Sequence, residues 1–394
     1  MTDEHQSVNA SDSLGRARVA DLHVPHDDAG EGGPTAVNSP AEDQTQEATM
    51  MTSTPEIVVV GGQSTGKTGI ASAVSGISLP RCGQRIRCPT RIVTRPADEW
   101  SCTVYLQLDY AFEPHDTGNP ITEEDFAEDN KYPTWKQLPG YRRQRVDFMN
   151  VGGGTDAGVR LEDVIRKART AIVNPSTPHE FFLPLLPGCT NDASRAEEGL
   201  DHQNRVEGME KNPQALFSPN VVVVEVGAPD LPVRTLTRVP GVITWAGCPE
   251  HEFLERVLEN MTREHISNEN ALVLCTSPMN VPLGLNFALG LVEEENADDR
   301  CVGVGTKADL VENVPTWIDV MDGKIYRLGR GHIATSVETG GQETPKTWEV
   351  DYFNRVDHPD IRRRWPDELQ NLRHGVETLR ADVSAFEAEL RRSV

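Results

Sequence analysis

Residues 61–68 read GGQSTGKT, a complete GxxxxGK[ST] loop, and no other feature of the chain restricts its fold as strongly. Before the loop stands Ile57-Val58-Val59-Val60, a short apolar run that predicts a buried strand. After it, Ile70, Ala71, Val74 and Ile77 take helical spacing, with Gly76 as the expected stop. A strand, a glycine-rich turn and a helix N-terminus together aim backbone N–H groups and a positive dipole at a polyphosphate. The backbone of Gly61, Gly62, Gln63, Ser64, Thr65 and Gly66 is expected to cradle the phosphates. Lys67 then reaches the β/γ oxygens, and the Thr68 hydroxyl is the expected Mg²⁺ ligand.

The rest of the chain alternates strands and helices. Strands are predicted over Cys102–Tyr110, Val221–Val224, Val233–Val239, Ala271–Cys275 and the apolar run from Cys301. Leu161, Val164, Ile165, Ala168 and Ile172 mark an amphipathic helix stopped by Asn174-Pro175. Phe253, Leu254, Val257, Leu258 and Met261 mark another. This pattern around a phosphate loop predicts an α/β fold, a three-layer α/β/α P-loop NTPase with a mostly parallel sheet and nucleotide at the carboxyl ends of its strands. Residues 111–157 are acidic and proline-containing, ending in a turn at Gly152-Gly153-Gly154, and residues 185–212 read as a polar, flexible surface insertion. Three parts are expected: a disordered acidic tail over 1–50, a nucleotide domain over 51–360 and a C-terminal amphipathic helix within 361–394.

Composition narrows the partners. Lys+Arg number 38 against 61 Asp+Glu, a formal charge of −23, which argues against nucleic acid and against a polybasic membrane patch. No apolar run approaches the roughly 20 residues of a transmembrane helix. The N-terminus, MTDEHQSVNA, has the character of neither a secretory signal nor a transit peptide. The seven Cys contain no CxxC pair or zinc-like spacing and read as reduced thiols of a cytoplasmic protein. His179-Glu180 and His251-Glu252 lack a second metal ligand and read as surface pairs.

The base is legible too. Residues 301–309 read CVGVGTKAD, an apolar strand entering Thr306-Lys307-Ala308-Asp309. This matches the [N/T]KxD loop, in which one carboxylate accepts from both N1–H and the N2 amino group of guanine while the Lys stem lies along the purine. Adenine lacks that donor pair, and an unpaired buried carboxylate costs roughly 1–3 kcal/mol or more. GTP or GDP is therefore the expected ligand, through Thr306, Lys307 and Asp309.

Several further segments give the chain a family likeness. The phosphate loop is followed by Leu79-Pro80-Arg81 and Arg87-Cys88-Pro89-Thr90, then by Glu99-Trp100-Ser101-Cys102, Ala171-Ile172-Val173-Asn174-Pro175-Ser176, and Phe217-Ser218-Pro219-Asn220-Val221 before Gly227-Ala228-Pro229-Asp230-Leu231-Pro232. Over roughly residues 55–360 the chain resembles the G domain of the dynamin superfamily of large GTPases, especially its fungal members. The resemblance implies GTP hydrolysis, with Gln63 and Ser64 organising the attacking water and transition-state charge beside Lys67. It also implies self-association through the G domain, and a cytoplasmic protein peripheral to membranes or cytoskeleton. Thr65 stands where the family has Ser or Ala.

Two departures bear on turnover. Aligned on Arg87-Cys88-Pro89, the switch I threonine that serves Mg²⁺ in the family is Ile86, and Thr90 lies beyond Pro89. The family's DLPG element is Arg238-Val239-Pro240-Gly241, so the metal-holding Asp is Arg238, while Gly241 keeps its N–H for a γ-phosphate. A guanidinium about 4 Å from a cation is repelled by on the order of 4 kcal/mol per unit charge at an effective dielectric of 20. Arg238 either swings to solvent or lends its own charge to the phosphates. Mg²⁺ thus keeps Thr68 but loses its usual switch ligands, and slow hydrolysis with little metal dependence of binding is expected. Two readings stay open, a dynamin-type GTP hydrolase with weakened turnover and a guanine-nucleotide-binding pseudoenzyme serving as a regulatory or interaction module. A P-loop kinase would need an acceptor site and a lid, for which the sequence offers no signal. The family's second base-contacting segment corresponds to 328–337, where Thr335 or Ser336 stands in for its Asn-Arg pair.

Beyond Pro366, Leu369, Leu372, Val376, Leu379, Val383, Phe386 and Leu390 step alternately by three and four. This seam fits a coiled coil between chains, giving self-association through 367–394, or a helix packed on its own domain. With the chain stopping at Val394, the family's long stalk is not expected.

Overall fold

The computed structural model describes residues 55–80, 86–115, 120–127, 130–151, 161–183, 193–243, 251–336, 349–350, 352–354 and 365–393. The apolar run before the phosphate loop becomes β1 (Glu56–Gly61), whose residues divide between two cores: Ile57 and Val59 enter one, Val58 and Val60 the other. A strand with both faces buried must have helices above and below it. The loop feeds α1 (Lys67–Ser75), closed by Gly76 at φ 77°. There follow β2 (Thr90–Pro96), β3 (Ser101–Leu108), β4 (Tyr110–Phe112), β5 (Trp135–Gln137) and β6 (Gln144–Val151). Next come α2 (Leu161–Ile172), α3 (Ala193–Lys211), β7 (Val221–Ala228), β8 (Arg234–Arg238), α4 (Phe253–Ile266) and β9 (Ala271–Pro278). The chain continues through α5 (Phe287–Glu294), β10 (Cys301–Thr306), α6 (Val314–Met321), β11 (His332–Ala334) and α7 (Val376–Ser393).

Nine strands form one sheet in the order β11-β10-β9-β1-β8-β2-β7-β3-β6. Pairing is parallel from β11 through β8, and again between β2 and β7; β2 against β8, β7 against β3 and β3 against β6 are antiparallel. On one face α1, α2 and α7 bury Ile70, Val74, Val164, Ile165, Leu379 and Val383; on the other α4 and α5 bury Ile266, Leu291 and Val292. The expected three-layer, mostly parallel α/β architecture is present.

Two stretches for which the sequence predicts no strand or helix hold regular structure. Within 111–157, β5 pairs with β4, and β6 forms the sheet edge with Phe148 buried. Within 185–212, residues 193–211 form α3, a polar helix without a broad apolar stripe. Tertiary contacts hold it instead: Val206 is buried, Glu210 pairs with Arg166 at 2.7 Å, and His202 Nε2 meets the Phe181 carbonyl at 2.7 Å. The tail over 1–50, Arg81, Cys82, the Gly152-Gly153-Gly154 turn and Val337 lie outside the described residues.

The C-terminal seam faces its own domain. Leu369, Leu379 and Val383 are fully buried, and Val376 and Phe386 nearly so. Only its later part is α-helical, because α7 starts after Gly375 at φ 88°. The helix is pinned by a buried, two-pronged ion pair: Arg234 Nε and Nη2 donate to the Glu387 carboxylate at 2.8 and 3.0 Å. Arg234 Nη1 also donates to the Val74 carbonyl at 2.9 Å and Arg380 Nε to that of Ala73 at 2.8 Å, so two cations serve the C-terminal carbonyls of α1. Residues 51–394 group as one compact unit.

Candidate nucleotide site

The phosphate loop sits at the carboxyl end of β1, and Gly66 in it is sterically required. Gly66 adopts φ +93°, and a Cβ there would lie 3.1 Å from the Thr306 side chain. Gly241 approaches the loop so closely that a Cβ would fall 2.8 Å from Lys67 Nζ and 2.9 Å from Gln63 N. Thr65 is buried, donates to the Gly62 carbonyl at 2.9 Å and shares a hydrogen bond with Thr276 at 2.7 Å. The Thr306 hydroxyl of TKAD donates to the Thr65 carbonyl at 2.7 Å, so the phosphate and base loops are tied directly. Gln63 and Ser64 are exposed on the rim. The cleft, about 370 Å³, runs from the loop past Ile86 and Gly241 to Lys307, with Arg166 and Arg169 of α2 on its far wall.

At the base end, Ser336 donates to Asp309 Oδ1 at 2.6 Å, leaving the second carboxylate oxygen for a ligand. Thr335 instead donates to the Gly305 carbonyl at 3.2 Å, so Ser336 is the member of that segment that reaches the carboxylate. Buried Glu349 accepts from the backbone N–H of Ser336 at 2.9 Å and of Val376, the first residue of α7, at 2.8 Å. Burial raises the Glu349 pKa, against the pull of those two N–H donors. Tyr352 donates to the Ala308 carbonyl at 2.9 Å. Glu349 and Tyr352 carry no motif, and their roles arise only when distant segments meet.

The phosphate end is built differently. Arg238 does not swing to solvent: at the end of β8 it is fully buried. Its Nη1 donates to Thr68 Oγ1 at 2.7 Å and its Nη2 to Thr90 Oγ1 at 3.5 Å, while Nε meets no acceptor among the described residues. Arg169 Nε donates to the same Thr90 oxygen at 3.3 Å. Lys67 Nζ donates to the carbonyls of Gly61 at 3.0 Å and Gly62 at 2.5 Å. Burial, then the Arg238 guanidinium, brings the Lys67 pKa down to about 7. Arg238 is lowered well below the usual arginine value by burial and then by Arg169.

A magnesium ion does not fit these residues. The Thr68 oxygen that would ligate it is engaged by a guanidinium. Arg238 offers donors where the ion's waters need acceptors. Thr90, just beyond Pro89, is buried with its hydroxyl against two guanidinium groups. Among the described residues no group of His, Cys, Asp and Glu gathers as a metal site, and no helix is long and apolar enough to cross a membrane.

No family model matches the chain. Among known proteins it is similar to the interferon-induced GTP-binding protein Mx of Ctenopharyngodon idella, 21% identical over 343 residues, covering 86% of this chain and 42% of that protein. It is 25% identical over 292 residues to Mx1 of Equus caballus, covering 73% of this chain and 32% of the relative. With Mx1 of Canis lupus familiaris the identity is 23% over 320 residues, 78% of this chain and 36% of the other. The chain thus spans less than half the length of these relatives.

Proposed function

Because the chain belongs to the dynamin superfamily and carries its G domain, we propose that it is a dynamin-like protein that binds GTP and GDP and turns GTP over slowly. The observation that carries guanine recognition is the Asp309 carboxylate, held by Ser336 on a loop tied to the phosphate loop through Thr306. Reduced turnover follows from Ile86 on the switch side and buried Arg238 against Thr68, because phosphoryl transfer depends on positioned charge and an oriented water. Gln63, Ser64 and Lys67 are the residues left for hydrolysis. The burial of Arg238 also favours a second reading, a pseudoGTPase acting as a regulatory or interaction module. Cytoplasmic placement and self-association through the G domain rest on the family resemblance. The seam of α7 is turned inward, which argues against it as a coiled coil.

The test is a direct titration with guanine and adenine nucleotides beside a steady-state GTP assay across a Mg²⁺ series. Guanine nucleotides should bind in preference to adenine nucleotides, with slow hydrolysis. The double variant Arg238→Asp with Ile86→Thr should raise metal-dependent turnover. Equal affinity for ATP and GTP would overturn the nucleotide assignment, and brisk Mg²⁺-dependent hydrolysis by the unmodified chain would overturn the loss of turnover.

A further inference from the structure

We propose that the phosphate end of the cleft takes the metal-free form of a guanosine polyphosphate, with the Arg238 guanidinium standing where a magnesium ion would, so that Mg²⁺ weakens binding. This rests on the guanine-nucleotide reading above for its ligand, but its physical basis lies in the phosphate end alone. The Thr68 hydroxyl already accepts from Arg238 Nη1 at 2.7 Å, and the Arg238 Nε is a buried donor with no acceptor among the described residues. A planar guanidinium holds two phosphate oxygens through parallel N–H bonds, which a carboxylate at this position cannot do.

Charge points the same way. Lys67 and Arg238 are both buried beside each other, and Arg169 shares the Thr90 oxygen with Arg238. The Arg238 guanidinium acts on Lys67, and that of Arg169 on Arg238. Buried like charges are stabilised by an anion brought among them. The free polyphosphate carries the most negative charge into that space. Its magnesium complex carries two charges fewer and places a dication against the guanidinium.

The experiment is calorimetric titration of the full chain with GTP, ATP and inorganic tripolyphosphate, in EDTA and in stepwise millimolar Mg²⁺ at matched ionic strength. GTP and tripolyphosphate should each bind about tenfold or more tightly in EDTA than in saturating Mg²⁺. Thermal unfolding should show the same order. Equal binding in the two conditions, or tighter binding with Mg²⁺, overturns the inference. Metal-free tripolyphosphate binding without any preference for GTP over ATP leaves the inference standing and overturns the guanine reading. A GTP preference that needs Mg²⁺ does the reverse, and no binding of any of the three overturns both. Arg238→Asp should turn the metal dependence around, so that Mg²⁺ promotes binding, and Arg238→Lys should retain part of the wild-type preference. A folded Arg238→Asp protein with unchanged metal dependence overturns the role of Arg238. If neither variant folds, the titrations of the unmodified chain decide.

Discussion

At the base end of the cleft, Asp309 receives the Ser336 hydroxyl and Ser336 is held in turn by Glu349, so the polar groups terminate on partners. At the phosphate end, Lys67 and Arg238 are buried together, and Arg238 Nε finds no acceptor among the described residues. The first arrangement is preorganised and asks only for a ligand of matching shape, because a satisfied network holds its geometry in the absence of the base. The second is energetically incomplete and asks for charge.

The largest expected effect tests the support that both ends share. Through α7, Val376 donates to Glu349 behind the base, and Arg234, fixed by Glu387, reaches α1 behind the phosphates. Glu387→Ala leaves the Arg234 guanidinium buried and unpaired, and should cost about 3–5 kcal/mol in urea denaturation. Native protein remaining should keep its guanine preference; a loss under 1 kcal/mol, by that principle, would show that α7 is not a common support.

Asp309→Asn sharpens the comparison from the base side. It should weaken GTP binding by about 2–3 kcal/mol and favour xanthine nucleotides, while tripolyphosphate binding stays as it was. An equal loss for tripolyphosphate in a competition assay would mean that the two ends are not separable. Glu349→Ala should weaken GTP binding by about 1–2 kcal/mol, and Glu349→Gln by less because the amide keeps one acceptor oxygen. If both variants bind GTP like the parent at equal thermal stability, Glu349 does not position the base loop.

The smallest effect is set by pH at the phosphate end. In the folded, unliganded chain Lys67 titrates near 7, against an ordinary value of 10.5. Between those values the unfolded chain holds the proton that the folded chain has shed, so the stability of the unliganded protein rises with pH across that window. A polyphosphate returns the proton to Lys67. Its affinity should therefore fall by about 1 kcal/mol from pH 7 to pH 8, with proton uptake visible as calorimetric heats that differ between buffers. An affinity that is flat over this interval, with no proton uptake, contradicts a buried Lys67 of lowered pKa.

The parts of the site legible in the sequence are those whose chemistry is contiguous. The strand, Gly66, Lys67 and Thr68 lie within a dozen residues, and Thr306–Asp309 within four, so local spacing carried their geometry. Arg238 was visible as a departure, but whether it faced solvent or Thr68 depended on β8 lying beside β1 and β2, a property of sheet order. Glu349 carries no local signal because its two donors, Ser336 and Val376, are 13 and 27 residues away. The helix α3 is illegible for another reason: tertiary contacts through Val206, His202 and Glu210 hold it where its own pattern is weak.

The pairing of β2 with β8 sets how the occupancy of the cleft can be felt elsewhere. Thr90 and Arg238 are opposite rungs of one antiparallel ladder that runs on to Thr94 and Arg234, where Arg234 meets Glu387. Thr90 and Arg238, on the phosphate side of the cleft, therefore belong to a single plate. A change at one rung would then be expected to pass along the plate. Its signature would be slowed or quickened amide exchange along Thr90–Thr94 and Arg234–Arg238, ending at the C-terminal helix.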